Sequence, residues 1–340
     1  MTSSDAPQTP QFSAGGRWSD LDRPPLNESG LRRALLRPGG LWTALDVLPS
    51  TGSTNSDLAA RAAAGAGEGQ VLVAEEQTAG RGRLDRGWSA PPRSGLFFSV
   101  LLQPGPRVPL DRWGWLPLLA GVATASALSR AAGVDTALKW PNDLLVTVHG
   151  EERKLGGILA ERTAAPRATG GSGGADGSGG ADGSGAAGSG VAAGTDARGA
   201  HVAGADHAAG GVVIGIGLNV TLRAAELPVP GAGSLSLAGA QGLDRDPLLR
   251  AVLRSLEEWY GKWRDADGDP TVCRLQEAYA AGCATLGRAV RAMLPGDREC
   301  VGEAVAIDGY GRLVIATEGG GREAVSAGDI VHLRPASTGE

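Results

Sequence analysis

Lysine is close to missing from this chain: of 32 basic residues, only Lys139, Lys154 and Lys262 are lysine. Alanine, glycine and arginine dominate, so a lysine marks a place where arginine did not serve, or a chance exception. Two of the three fall inside motifs described below. Cysteine is equally scarce. Cys273, Cys283 and Cys300 are odd in number and lack Cys-x-x-Cys spacing, which argues against a disulfide framework or a cysteine zinc site and fits a reducing cytoplasm. No apolar run is long enough to span a bilayer, and Met1 to Gly16 lacks the apolar centre of a signal peptide. An excess of positive charge is also lacking. With a net charge of -5 and no strongly basic half, the chain does not read as a general nucleic-acid binder. Its 340 residues suit one to three domains with ample material for a core.

Residues 1–28 are rich in Ser, Pro, Gln and Gly and are expected to be disordered. A short helix is expected over 29–38, a strand over 42–48 and a helix over 57–64. Strands at 71–74 and 95–102 flank an Arg/Gly-rich loop. A small-residue helix follows over 116–132, ended by Gly133. Residues 137–148 and 154–161 read as paired strands. Residues 163–210 are Gly, Ala, Ser and Asp in a repeating pattern, a low-complexity insertion with too little apolar surface to order itself. The strand after it, 212–218, can still pair with 155–160, because loop length costs stability only logarithmically. Helices are expected over 248–264 and 272–281. From about Leu286 short alternating strands take over: 289–293, 300–307, 313–317, 323–326 and 330–333. The chain thus divides into a main domain over 29–285, which the resemblance described below makes the catalytic one, and a small β-domain over 286–340.

Five polar or glycine-rich islands carry the chemistry. In Gly80-Arg81-Gly82-Arg83-Leu84-Asp85-Arg86-Gly87-Trp88 the glycines permit close backbone approach, and the guanidinium forks suit carboxylate or phosphate. So glycine-rich a segment should hold little regular structure, since glycine costs about 1 kcal/mol in a helix. The plain alternative is a solvated basic loop. Lys139-Trp140-Pro141-Asn142-Asp143 offers a phosphate-neutralising lysine and an aspartate able to touch Mg²⁺, or else a surface turn with an ion pair. Lys154-Leu155-Gly156-Gly157-Ile158-Leu159 sets one cation beside bare backbone, or else is a hairpin-edge lysine with glycines needed for packing. Gly215-Ile216-Gly217-Leu218-Asn219 lies within a strand, so it is no dinucleotide fingerprint. Ser53-Thr54-Asn55 reads as a helix cap that can also face a ligand. Gln77, ahead of the arginine loop, can both donate and accept.

In this order and spacing the islands resemble the biotin protein ligases, over roughly 42–340 apart from the insertion. The resemblance implies an α+β fold: a mixed sheet with helices like the class II aminoacyl-tRNA synthetase core, then an SH3-like β-barrel. It implies activation of biotin by MgATP to biotinyl-5′-AMP and pyrophosphate, then transfer to a lysine of a biotin carboxyl carrier domain with release of AMP. By the same resemblance biotin is held by Ser53, Thr54, Asn55, Gln77, Arg81, Gly82, Arg83, Lys154, Gly157 and Leu159. The nucleotide falls to Arg81, Arg86, Trp88, Lys139, Asn142 and Asn219. Lys154, Arg83, Lys139 and Asp143 carry the catalysis, with Asp143 the Mg²⁺ contact. The repressor-type members begin with a winged helix-turn-helix. Here only about forty residues precede Trp42, and they read as disordered or singly helical, so no DNA partner is expected. The expected enzyme is cytoplasmic, a monomer or weak homodimer without membrane contact. A lipoate or octanoyl transferase is the nearest rival, opposed by the full Gly-Arg-Gly-Arg-x-x-Arg-x-Trp run. A biotin-sensing transcription factor is the rival outside enzymology. Asp85 and the long insertion depart from the family pattern.

Overall fold

The computed structural model describes residues 23–84, 86–163, 210–294, 298–326 and 329–332. Most of the expected insertion, the first 22 residues and Asp85 lie outside the described residues.

The order of elements begins with α1 (Glu28–Leu35), β1 (Ala44–Leu48), α2 (Thr54–Ala63) and β2 (Gln70–Ala74). A two-residue pair follows, β3 (Gly80–Arg81) and β4 (Gly87–Trp88), then β5 (Gly95–Leu102) and α3 (Trp115–Ala132). Next come β6 (Ala137–Lys139), β7 (Asp143–Val148), β8 (Glu151–Arg162), β9 (Val212–Asn219), α4 (Arg245–Asp265) and α5 (Leu275–Gly282). The last five strands are β10 (Ala289–Leu294), β11 (Arg298–Ile307), β12 (Leu313–Ala316), β13 (Arg322–Val325) and β14 (Asp329–His332).

Seven strands form a mixed sheet in the order β1-β2-β5-β9-β8-β7-β6, with only β1 and β2 parallel. β5, Gly-Leu-Phe-Phe-Ser-Val-Leu-Leu, is buried along its whole length, as a run apolar but for Ser99 requires of a central strand covered on both faces. α3 is apolar nearly all round. It lies between the sheet and α4, which faces it with Leu249, Val252, Leu253 and Leu256. Gly133, at φ 65°, ends α3 in the left-handed conformation that glycine adopts at least cost. The second sheet is antiparallel, ordered β13-β12-β11-β10-β14, and is the SH3-like unit, present here as a five-stranded sheet. No helix among the described residues is long and apolar enough to cross a membrane.

Several expectations need correction. Residues 23–28 are ordered, not disordered. Arg23 reaches the Thr221 carbonyl (3.1 Å) and Glu226 (2.5 Å), Leu26 N–H donates to Glu75 (2.6 Å), and α1 begins at Glu28. Their composition is that of a loop, but a buried ion pair, Arg245 with Glu75 at 2.6 Å, gives their backbone partners. The strand expected across 137–148 is two strands. Pro141 has no N–H for a ladder, and the chain reverses at Trp140–Asn142, through a cis Trp140–Pro141 peptide, so that Lys139 pairs with Asp143. The arginine loop does hold regular structure. β3 and β4 pair Gly80 with Trp88 and Arg81 with Gly87, and Gly82 N–H donates to the Arg86 carbonyl at 2.7 Å. Finally, Ser53 occupies the N-cap of α2 but its side chain makes no capping bond. The Gln77 amide oxygen, from another segment, takes the Thr54 N–H at 2.9 Å instead.

Candidate active site

A cleft of about 900 Å³ opens on the sheet where β8 and β9 run side by side. Every residue that the resemblance assigned to biotin, nucleotide or catalysis lines it. The floor is glycine. Gly157 pairs with Gly217 across β8 and β9, and a Cβ on Gly217 would stand 3.1–3.2 Å from the Trp88 indole. Leu159 lies two residues beyond Gly157 on the same face of β8 and continues this apolar trench. A Cβ on Gly215 would overlap the amide oxygen of Asn55. These glycines leave room for the aromatic ring and the amide.

At one end of the trench lies a neutral hydrogen-bonding patch. Asn55, only 4% exposed, donates to Glu161 at 2.9 Å and to the Leu159 carbonyl at 3.3 Å. The Ser99 hydroxyl lies 2.6 Å from Asn55 Oδ1 and 2.7 Å from Thr54 Oγ1. Gln77 accepts from the Thr54 hydroxyl at 3.1 Å. Buried polar groups are kept only when paired, and these side chains pair with one another at the cleft wall. Arg81 stands at the rim, tied to Glu161 at 2.8 Å.

At the other end cations gather. Lys154 Nζ is 2.6 Å from Asp143 and 5.9 Å from the centre of the Trp88 ring. A β-bulge puts it there. Leu144 pairs with Gly156 but Leu145 with Lys154, so Leu155 is the extra residue. Leu155 turns into the core, and Lys154 joins Gly157 on the cleft face, three residues away rather than two. Lys139 and Arg83 converge on the same carboxylate. Burial pulls both below their ordinary ranges, Asp143 opposes that pull, and Lys154 adds to it for Lys139. Arg83 also donates to Asn142 at 3.3 Å. Among the described residues Lys139, Lys154 and Arg83 gather around Asp143, with Glu152 also lining the cleft, and such a set of cations suits an arriving anion. Trp88 Nε1 is buried against Gly217 with no hydrogen-bond partner among the described residues. Asn219 lines the cleft, but its amide is committed to the Gly233 carbonyl at 2.9 Å.

Sequence reasoning missed three contributions. Glu161 and Ser99 brace Asn55. Glu161 was accessible, since it shares the β8 face of Gly157 and Leu159 at spacing two. The segment 228–232 borders the cleft and pairs with Lys154 through the Gly231 carbonyl at 2.8 Å. Ile330, Val331 and His332 reach the cleft from the second sheet, and no local pattern signals a contact between sheets.

The sequence was compared with known families, and the model described as the Biotin/lipoate A/B protein ligase family matches residues 47–178. The Biotin protein ligase C terminal domain model matches 285–333. The chain is 40% identical over 322 residues to the biotin--[acetyl-CoA-carboxylase] ligase of Mycobacterium tuberculosis, covering 93% of this chain and 98% of that protein. It is 31% identical over 285 residues to the bifunctional ligase/repressor BirA of Bacillus subtilis, covering 83% of this chain and 71% of that protein. Among solved structures, biotin protein ligase from Aquifex aeolicus in complex with biotin and ATP shares the fold. Its TM-score is 0.61 at 24% identity, over 86% of this chain and all of that one.

Proposed function

The chain belongs to the biotin protein ligase family, and from that premise we infer that it activates biotin with ATP and attaches it to a carrier protein. One observation carries the assignment of the site. A glycine-floored apolar trench, with a neutral polar patch at one end, runs directly into a cluster of cations at the other. Biotin matches that gradient: a polar ureido ring, an apolar valeryl chain and a terminal carboxylate. The ureido group falls to Ser53, Thr54, Asn55 and Gln77, the ring and chain to Gly157 and Leu159, and the carboxylate to Lys154 and Arg83. Arg81 and Gly82 close over the ligand. Arg86, Trp88, Lys139 and Asn142 take the nucleotide, with Asn219 holding the 228–235 segment beside it.

In the first step a carboxylate oxygen of biotin attacks the α-phosphorus of ATP, the bond to the bridging oxygen breaks, and pyrophosphate leaves. Two anions must meet. The carboxylate is already a nucleophile and needs no base, so the work is positioning and charge neutralisation. In the second step a carrier lysine amine attacks the acyl carbon, the acyl–phosphate C–O bond breaks, AMP leaves and the amine loses a proton. Among the described residues no three acidic, histidine or cysteine side chains cluster as a metal cage. Asp143 alone, partly exposed at the cleft, suits a magnesium ion that arrives on the triphosphate and keeps water in most positions. Such an ion would add positive charge against the phosphates.

The carrier domain of a biotin-dependent carboxylase is the proposed protein partner, as the name of the mycobacterial relative indicates. The same reading takes residues 29–285 as the catalytic unit and 286–340 as its companion. It has the enzyme acting in the cytoplasm as a monomer or weak homodimer, and the net charge of -5 supports a role without DNA. Exchange of labelled pyrophosphate into ATP tests the function. Exchange that depends on biotin is expected; exchange driven by lipoate and not by biotin would move the chain to the lipoate branch.

A further inference from the structure

A chain of polar contacts joins the second sheet to the turn that carries Lys139, Asn142 and Asp143. Glu152 on β8 receives two bonds from Arg288, at 2.5 and 2.7 Å. Arg288 Nη1 also lies 3.2 Å from His332 Nδ1, and His332 Nε2 lies 3.1 Å from the Thr285 hydroxyl. Arginine can only donate, so Nδ1 accepts and the ring proton sits on Nε2, from where it is donated to Thr285. Thr285, fully buried, accepts a second bond from the Trp140 N–H at 3.0 Å. Burial first, and then the charges of Lys139 and Arg288, hold the imidazole neutral, with its pKa pushed down to about 4. The Trp140 indole is anchored on the same side, donating to the Gly311 carbonyl at 3.0 Å. His332 itself borders the cleft.

We propose that His332, together with Thr285, is a positioning residue for adenylation: the Glu152–Arg288–His332–Thr285 chain fixes the Trp140 amide and so aims Lys139, Asn142 and Asp143 at the nucleotide. This inference rests on the ligase reading above. It separates the two halves of the cleft. The polar patch around Asn55 is braced by Ser99 and Glu161, and among the described residues none of its hydrogen bonds goes to Glu152, Arg288, His332 or Thr285.

The test uses the full chain and four variants: His332→Ala, His332→Gln, Thr285→Val and Thr285→Ser. Biotin binding is titrated calorimetrically without ATP, and pyrophosphate exchange gives kcat and KM for MgATP. The alanine and valine variants should lose about tenfold in kcat/KM for MgATP, the scale of one hydrogen bond of about 1.4 kcal/mol, with biotin affinity unchanged. Glutamine keeps a donor toward Thr285 and serine keeps the acceptor, so both should recover most of the loss. Retained biotin binding also shows that each variant is folded. Wild-type kcat and KM in His332→Ala would overturn the proposal. So would equal losses for biotin and ATP that neither conservative variant restores. A wild-type enzyme without biotin-dependent exchange would instead strike the function on which the proposal rests.

Discussion

At the scale of single residues, Lys154 depends on its backbone as much as on its charge. In a regular strand Lys154 and Gly157, three residues apart, would fall on opposite faces of β8; the bulge at Leu155 puts them on one. On the proposed site, Lys154→Ala removes a cation from the point where carboxylate and phosphate would meet. Biotin-dependent pyrophosphate exchange should fall by about 10²–10³-fold, the usual loss for one preorganised charge-stabilising donor. Near-normal exchange in that variant would contradict the assignment. Gly215 makes an equally local demand. A methyl group there overlaps Asn55, whose amide is held by Glu161 and near Ser99. Gly215→Ala should weaken biotin binding about tenfold by leaving buried polar groups imperfectly paired, a cost of about 1–3 kcal/mol. Calorimetric titration with biotin reads this directly, and wild-type affinity would show that Asn55 has no part in binding. Both residues were legible as motif members. The bulge that aims Lys154 was not, because register depends on the partner strand rather than on β8's own sequence.

At the scale of elements, β8 and β9 stay paired to their far ends. Arg162 pairs with Val212, and Thr163 and Gly211 exchange bonds at 2.8 Å through the Thr163 N–H and hydroxyl. A short turn can therefore close the two strands. Deleting residues 168–208 should leave ligation within about twofold of wild type, since loop length costs little once the ends are fixed. A large loss of turnover would show that this segment touches the site or the carrier. The β8–β9 pairing was readable across the low-complexity stretch, because both strands are apolar and carry motif residues. The reversal at Trp140–Asn142 and the β3–β4 ribbon were not. Glycine and proline mark where regular structure is weak, but not which short pairing the neighbours impose.

At the scale of the whole molecule, the two sheets share one core. Val290, Ile315 and Ile330 of the second sheet belong to the same buried cluster as Leu138, Trp140 and Tyr279. Change in texture near Leu286 announces a new β-unit, but nothing local says that it packs against a turn some 170 residues earlier through Trp140 and Gly311 (|i−j| = 171). Such contacts are fixed by tertiary packing alone. Scanning calorimetry should therefore show a single cooperative transition, as expected for one contiguous core. Two resolved transitions would mean that the sheets unfold independently and that the shared core contributes little.

Whether the cleft joins biotin to a protein is read without intermediary by intact-mass spectrometry of a purified biotin carboxyl carrier domain. After incubation with this enzyme, biotin and MgATP, the carrier should gain the mass of one biotin less one water. The gain should require ATP and be lost with Lys154→Ala. An unchanged carrier mass in the presence of folded enzyme that binds biotin would show that the cleft does not ligate biotin to this carrier.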